Sequence, residues 1–155
     1  MSIRVLVGAD TEKADETTVR GHTGAMALRW YSVVVDSSDP HALARWWGET
    51  LSWPVVYESD DEAVIAPAFA EGLEGTIPRE QLPQGIVFVP VPEGKTVKNR
   101  LHIDLVPAPD DSHQDAVDGL VARGASLADV GQGDVPWVVL ADPEGNEFCV
   151  LTPRE

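Results

Sequence analysis

Residues 100–106 read Arg-Leu-His-Ile-Asp-Leu-Val, and residues 30–36 read Trp-Tyr-Ser-Val-Val-Val-Asp. The second of these is rich in β-branched and aromatic residues, the first alternates apolar with polar ones, and both are followed by helix-opening signals, so each reads as the first strand of a unit. In the later stretch Leu101, Ile103 and Leu105 alternate with His102, Asp104 and Val106, the period-two pattern of a half-buried strand. Aligned, the two stretches set Ser32 opposite His102, 70 positions apart.

The sequence downstream of each strand repeats as well. After the first, Asp39 can cap a helix and Pro40 suits its first position. Leu43, Trp46, Trp47 and Leu51 then share one helix face; of the adjacent tryptophans, one is expected in the core and the other at a rim or interface. Strands are expected over 54–57 and 62–67, joined by a turn at Ser59-Asp60-Asp61. A long loop runs over 68–84, and a fourth strand over 85–91, where Pro90 marks an edge or an end. After the second, Pro107 and Pro109 break the strand. Asp110 or Asp111 caps a helix with Val117, Leu120 and Val121 on its apolar face, and Gly124 takes the C′ place. Strands are expected at 125–130, 136–140 and 147–151, the last two joined by the turn at 142–146. Each half is strand-helix-strand-strand-strand, so the expected fold is α+β, two βαβββ modules (about 28–92 and 99–152) forming a cupped mixed sheet.

The pattern and its local motifs resemble the vicinal oxygen chelate superfamily, which includes glyoxalase I, bleomycin-resistance proteins, fosfomycin-resistance enzymes and extradiol dioxygenases. Asp142-Pro143-Glu144-Gly145-Asn146-Glu147-Phe148 resembles the superfamily's aspartate-proline-x-glycine-asparagine hairpin. Asp36 to Trp47 resembles its first strand-to-helix junction, and Val91 to Leu105 is similar to the glyoxalase-like subgroup. The likeness covers residues 28–152.

The resemblance implies a cavity between two half-sheets and often a divalent metal (Zn, Fe, Mn or Ni), with ligands from the first and last strand of each module. Mapped here, those positions are Ser32, Val89, His102 and Cys149. Valine cannot ligate and serine ligates poorly, so no metal is favoured; His102 would be the centre of any site, with Asp104, Glu147 or Cys149 beside it. His102 and Glu147 are the candidate catalytic groups. Ser32, Trp47, Lys95, Lys98, Arg100, Asp104, Trp137 and Cys149 are the candidate ligand-binding ones. The resemblance also implies a homodimer.

Composition narrows the partners. The 155 residues carry 26 acids against 11 bases, a formal charge of −15. Such a chain repels phosphate backbones and anionic membranes, so neither nucleic acid nor membrane is an expected partner. Three of the eleven bases, Lys95, Lys98 and Arg100, fall within six positions. Such a knot either binds a small anion or pairs with neighbouring acids. Cys149 is the single cysteine, which excludes an internal disulfide. A length of 155 residues supports a core without staples. No apolar run approaches the span of a bilayer and residues 1–8 lack a secretory pattern, so a cytoplasmic protein is expected. Residues 1–25 read as an arm, either a loose extension or an added edge strand through Ile3, Val5 and Val7; the domain is expected over 26–155. Three functions stay open: a binding protein for a small aromatic or anionic molecule, a metal-dependent lyase, isomerase or dioxygenase of the glyoxalase type, or a partner module.

Overall fold

The computed structural model describes residues 30–73, 75–78 and 81–153; the arm expected over 1–25 lies outside them. The first module is β1 (Val33–Ser37), α1 (Pro40–Leu51), β2 (Val55–Ser59), β3 (Glu62–Ile65) and β4 (Ile86–Pro90). The second is β5 (Ile103–Leu105), α2 (His113–Ala122), β6 (Ser126–Leu127), β7 (Trp137–Ala141) and β8 (Glu147–Leu151). Each module closes into its own four-stranded mixed sheet, in the orders β1-β4-β3-β2 and β5-β8-β7-β6. In both, the first strand lies parallel to the last, and the three strands after the helix are antiparallel to one another. The duplication is structural, and Ser32 and His102 each stand one residue before their first strand.

The helices begin and end for local reasons. The Asp39 side chain accepts from the Ala42 N–H at 3.0 Å, and Pro40 fills the first turn. The α2 cap is Ser112, not Asp110 or Asp111: its side chain accepts from the Asp115 N–H, while Asp111 is used in a turn onto Ala108. Gly124, at φ +105°, closes α2 as a C′ glycine. Val117 and Leu120 are buried, whereas Val121 is 43% exposed and is not a core residue. The long loop after β3 contains a short 3-10 turn at Ala68–Ala70. The expected strand at 125–130 shrinks to Ser126–Leu127: the Ala128 N–H still donates to the Val139 carbonyl of β7 at 3.0 Å, and the chain beyond it runs as a loop.

Both helices and one face of both sheets share a single core. That explains the paired tryptophans. Side chains at successive helix positions point about 100° apart, so two neighbours rarely both face one sheet. Here α1 meets its own sheet and the second module as well. Trp46 and Trp47 are therefore both buried, at 8% and 2%, and neither is a rim residue. The two rings meet edge-on at 5.2 Å, and both meet Phe148 of β8, at 5.9 and 5.1 Å. Each indole N–H donates across the modules, Trp46 to the Arg123 carbonyl at 2.9 Å and Trp47 to Asp142 at 3.0 Å.

The hairpin at 142–146 completes the joint. The Glu144 carboxylate accepts from the N–H groups of Ser38 and Asp39, each at 2.9 Å, and from the hydroxyls of Ser37 and Ser38. It thus covers donors at the α1 N-terminus from the other module, where negative charge is favoured. Burial alone would raise the Glu144 pKa, but these four hydrogen bonds outweigh it and hold the carboxyl below its ordinary value of 4.5.

Candidate functional site

Strand alternation builds the site. On β8, Phe148 and Val150 point into the core, so Glu147, Cys149 and Leu151 point to the opposite face. On β5, Ile103 and Leu105 take the core side and Asp104 the other; on β7, Val138 and Leu140 pack inward and leave Trp137 and Val139 outward. The register sets Asp104, Cys149 and Val139 in one row across β5, β8 and β7, with Leu151 and Trp137 in the next. Over this face lies a cavity of about 460 Å³. Lys98 and His102 border it from the segment entering β5, and Val130, Gly131 and Gln132 from the loop between β6 and β7.

Five of the sequence candidates, Lys98, His102, Asp104, Trp137 and Cys149, thus meet in one place. All lining residues come from the second module and the segment leading into it, so this cavity is a feature of one sheet and not a cleft between two. Ser32, Trp47, Lys95, Arg100 and Glu147 lie outside its lining. Trp47 is in the core. Arg100 is exposed. Lys95 and Glu147 spend their charges on each other, Nζ to Oε2 at 2.7 Å, with both side chains mostly buried. Glu147 also accepts from the Asn99 N–H at 3.0 Å. Burial would raise the Glu147 pKa; the Lys95 contact and the Asn99 N–H reverse that and hold it below 4.5. Glu147 is therefore an ionised clamp on the 95–99 segment, poorly suited to carry a proton. The basic knot is divided: Lys95 is structural, and Lys98 faces the cavity.

The chemistry of the remaining groups is restrained. Burial raises the Cys149 thiol pKa above 9.0; the thiol's hydrogen bond to Asp104 and that carboxylate's charge raise it further, and Lys98 only partly offsets this. A thiol is nucleophilic as thiolate, so Cys149 is a closed, protonated floor. The His102 ring meets the Asn99 carbonyl at 3.2 Å through Nε2. No hydrogen bond joins it to Cys149 among the described residues, so no nucleophile-base pair is set up.

The metal positions fit no better in space. β1 pairs Val34 with Val87, as β5 pairs Asp104 with Cys149. The first-module counterpart of Cys149 is therefore Val87 and not Val89. The offset of two arises because β4 follows a long loop, whereas β8 follows a tight turn. Among the described residues no three His, Cys, Asp or Glu side chains gather as a metal site. With valine in one position, serine in another and the Cys149 thiol held protonated by burial and the Asp104 carboxylate, the donor set does not fit a divalent ion.

The sequence reading missed Val130, Gly131 and Gln132. Gln132 folds back on its own loop, accepting from the Val130 N–H at 2.7 Å and donating to the Ala128 carbonyl. Gly131 and Gly133 both take positive φ, and the Gly-Gln-Gly triplet was the available signal.

A model of the glyoxalase-like domain matches residues 32–151. The chain belongs to that family. Among solved structures, the glyoxalase-like domain resembles the fosfomycin resistance protein FosX from Listeria monocytogenes, complexed with Mn(II) and sulfate. The two are 11% identical with a TM-score of 0.57, over 83% of this chain and 95% of that one. A possible glyoxalase from Bacillus cereus is also 11% identical with a TM-score of 0.55, over 81% and 99%. The oxidase ChaP-H2 is 16% identical with a TM-score of 0.53, over 83% and 96%. The family match and these folds place the domain in the vicinal oxygen chelate superfamily. No curated protein matches the sequence. Relatives named for resistance, for glyoxalase and for oxidase share one scaffold, so the site must decide the chemistry. No helix among the described residues is long and apolar enough to cross a membrane.

Proposed function

We propose that this glyoxalase-like domain binds a small molecule in the cavity on its second sheet, without the superfamily's metal. The observation that carries this is the convergence of Lys98, His102, Asp104, Trp137 and Cys149 on one cavity of about 460 Å³. That volume is within the range of small-molecule sites, and its mix of apolar wall and few polar groups is what such sites use for orientation. Lys98, Asp104 and Trp137 are the contacting groups. His102, exposed and in the same lining, can hydrogen-bond a ligand. The protein acts in this reading as a binding protein of the cytoplasm. A homodimer belongs to the same reading; the exposed Trp30, Val34, Val56 and Tyr57 of the first module support it. Sedimentation velocity tests that part.

Metal analysis of purified protein, with a His102→Ala control, tests the central claim. The expected result is no stoichiometric divalent metal in either protein and no gain in ligand affinity on adding Zn, Fe, Mn or Ni. A stoichiometric metal that disappears in the variant would overturn the metal-free reading and favour the alternative, a metal-dependent lyase, isomerase or dioxygenase of the glyoxalase type.

A further inference from the structure

The cavity carries one unpaired cation, one carboxylate and one partly exposed aromatic face, and their positions limit what can occupy it. Lys98 lines the cavity and enters no ion pair among the described residues, unlike Lys95 three positions before it. Asp104 is exposed. Its carboxylate neighbours the Cys149 thiol and raises that thiol's pKa. A carboxylate has room for about four hydrogen bonds, so Asp104 keeps acceptor capacity for a ligand. Trp137 is 37% exposed and stands on the opposite flank, with Val139 and Leu151 beside it.

The register gives the spacing. Asp104 on β5 is two strands from Trp137 on β7, with β8 between them, and one row of side chains away. Strands lie roughly 4.8 Å apart and alternate residues roughly 6.7 Å along a strand, so the two backbones stand about 12 Å apart on the diagonal. Lys98 and Asp104 stand on the β5 flank and Trp137 on the other, so a fused two-ring aromatic with both polar groups on the ring nearer β5 spans that interval once the side chains have extended. One benzene ring would leave either the tryptophan or the polar pair without contact.

Resting on the small-molecule reading above, we infer that the ligand is a two-ring aromatic carboxylate that also carries a hydroxyl or amino donor. Its carboxylate meets Lys98, its donor meets Asp104, and its rings lie against Trp137 over the floor of Val139, Cys149 and Leu151. Charge favours this arrangement over a simple cation. The chain carries −15, but a cation held by Asp104 would sit beside Lys98 without a counter-charge for it. A ligand bearing both an anion and a neutral donor satisfies the two groups together. The protonated Cys149 matters here, because a thiolate in the floor would repel the carboxylate.

Three probes in a fluorescence titration test it: 4-hydroxy-2-naphthoate, 2-naphthoate and 1-naphthol. Hydroxynaphthoate is expected to bind best. Removing its carboxylate (1-naphthol) or its hydroxyl (2-naphthoate) should each weaken binding, the first by roughly tenfold or more, as for a hydrogen bond to a charged group. Lys98→Met should produce that loss for both carboxylates and leave 1-naphthol unchanged. Asp104→Asn should weaken the two hydroxylated probes alone. Equal binding of all three probes, a Lys98→Met variant that binds the carboxylates normally, or a failure of all three to quench tryptophan and to bind by calorimetry would overturn the ligand class and leave the cavity reading to its own test.

Discussion

The indole N–H of Trp47 donates to the Asp142 carboxylate at 3.0 Å, a buried hydrogen bond between residues 95 positions apart. It ties the first helix of one module to the hairpin of the other. Asp142 serves more than the tryptophan: it also accepts from the N–H groups of Glu144 and Asn146 and from the Asn146 side chain. The aspartate-proline-x-glycine-asparagine motif is therefore a structural joint. Its aspartate organises the turn and receives α1, and its glutamate covers donors at the start of the same helix.

Truncating the two ends of this bond should have unequal effects. Trp47→Phe removes the donor and leaves Asp142 with other partners, so a loss of about 1–2 kcal/mol is expected in urea unfolding. Asp142→Ala leaves a buried indole N–H and several turn donors unsatisfied, and should cost clearly more. Equal losses would mean that Asp142 matters to the turn no more than to the helix.

Glu144 gives the joint a pH dependence with a definite sign. Its folded pKa lies below the ordinary 4.5. The unfolded chain therefore takes up the proton first, and the stabilisation is full above 4.5 and is lost as pH falls through the folded value. Glu144→Gln should be less stable than the parent at neutral pH. The gap should shrink as urea midpoints are followed downward through pH 4.5. A gap that stays constant to low pH would show that the charge contributes nothing beyond shape.

Lys95 and Lys98 are three positions apart and should behave oppositely. Lys95→Met strands the mostly buried Glu147 carboxylate, so stability should fall, while affinity for 4-hydroxy-2-naphthoate stays within about twofold. Lys98 is exposed, and surface charges outside a network seldom contribute more than about 1 kcal/mol. Its replacement should leave the thermal midpoint nearly unchanged. If both variants lost stability alike, the division of the basic knot would be wrong.

Gly85 closes the first sheet where no side chain fits. A Cβ there would overlap the Ile65 carbonyl oxygen, a backbone atom that cannot swing aside. Gly85→Ala should destabilise by about 1–3 kcal/mol, the ordinary cost of overpacking, read from the unfolding midpoint.

The two modules and the β8 strand at 147–151 are legible in the sequence because periodicity and turn residues are local signals. The cavity face is legible for the same reason: alternation alone puts Asp104, Cys149 and Trp137 on one side once their strands are known. Long-range facts are not. The burial of both Trp46 and Trp47 depends on a second module reaching α1, and no local pattern states that. The correspondence of Cys149 with Val87 depends on where β4 enters its sheet, after a loop whose length has no counterpart before β8. Lys95 and Lys98 look alike in sequence, and only the position of Glu147 separates them.

Cys149 provides the last test, because its environment predicts slow chemistry. Burial and the adjacent Asp104 carboxylate both push the thiol above 9.0, so little thiolate exists at neutral pH. Alkylation by iodoacetamide, followed by intact mass, should be slow in the native protein at neutral pH and should accelerate only in alkaline buffer. The urea-unfolded chain should react at the rate of an ordinary cysteine. Asp104→Asn removes a negative charge and replaces a full acceptor with a weaker one, so the thiol pKa should drop and native alkylation should quicken at neutral pH. If that variant reacts no faster, occlusion by the sheet alone governs the thiol, and the carboxylate has no hold on its proton.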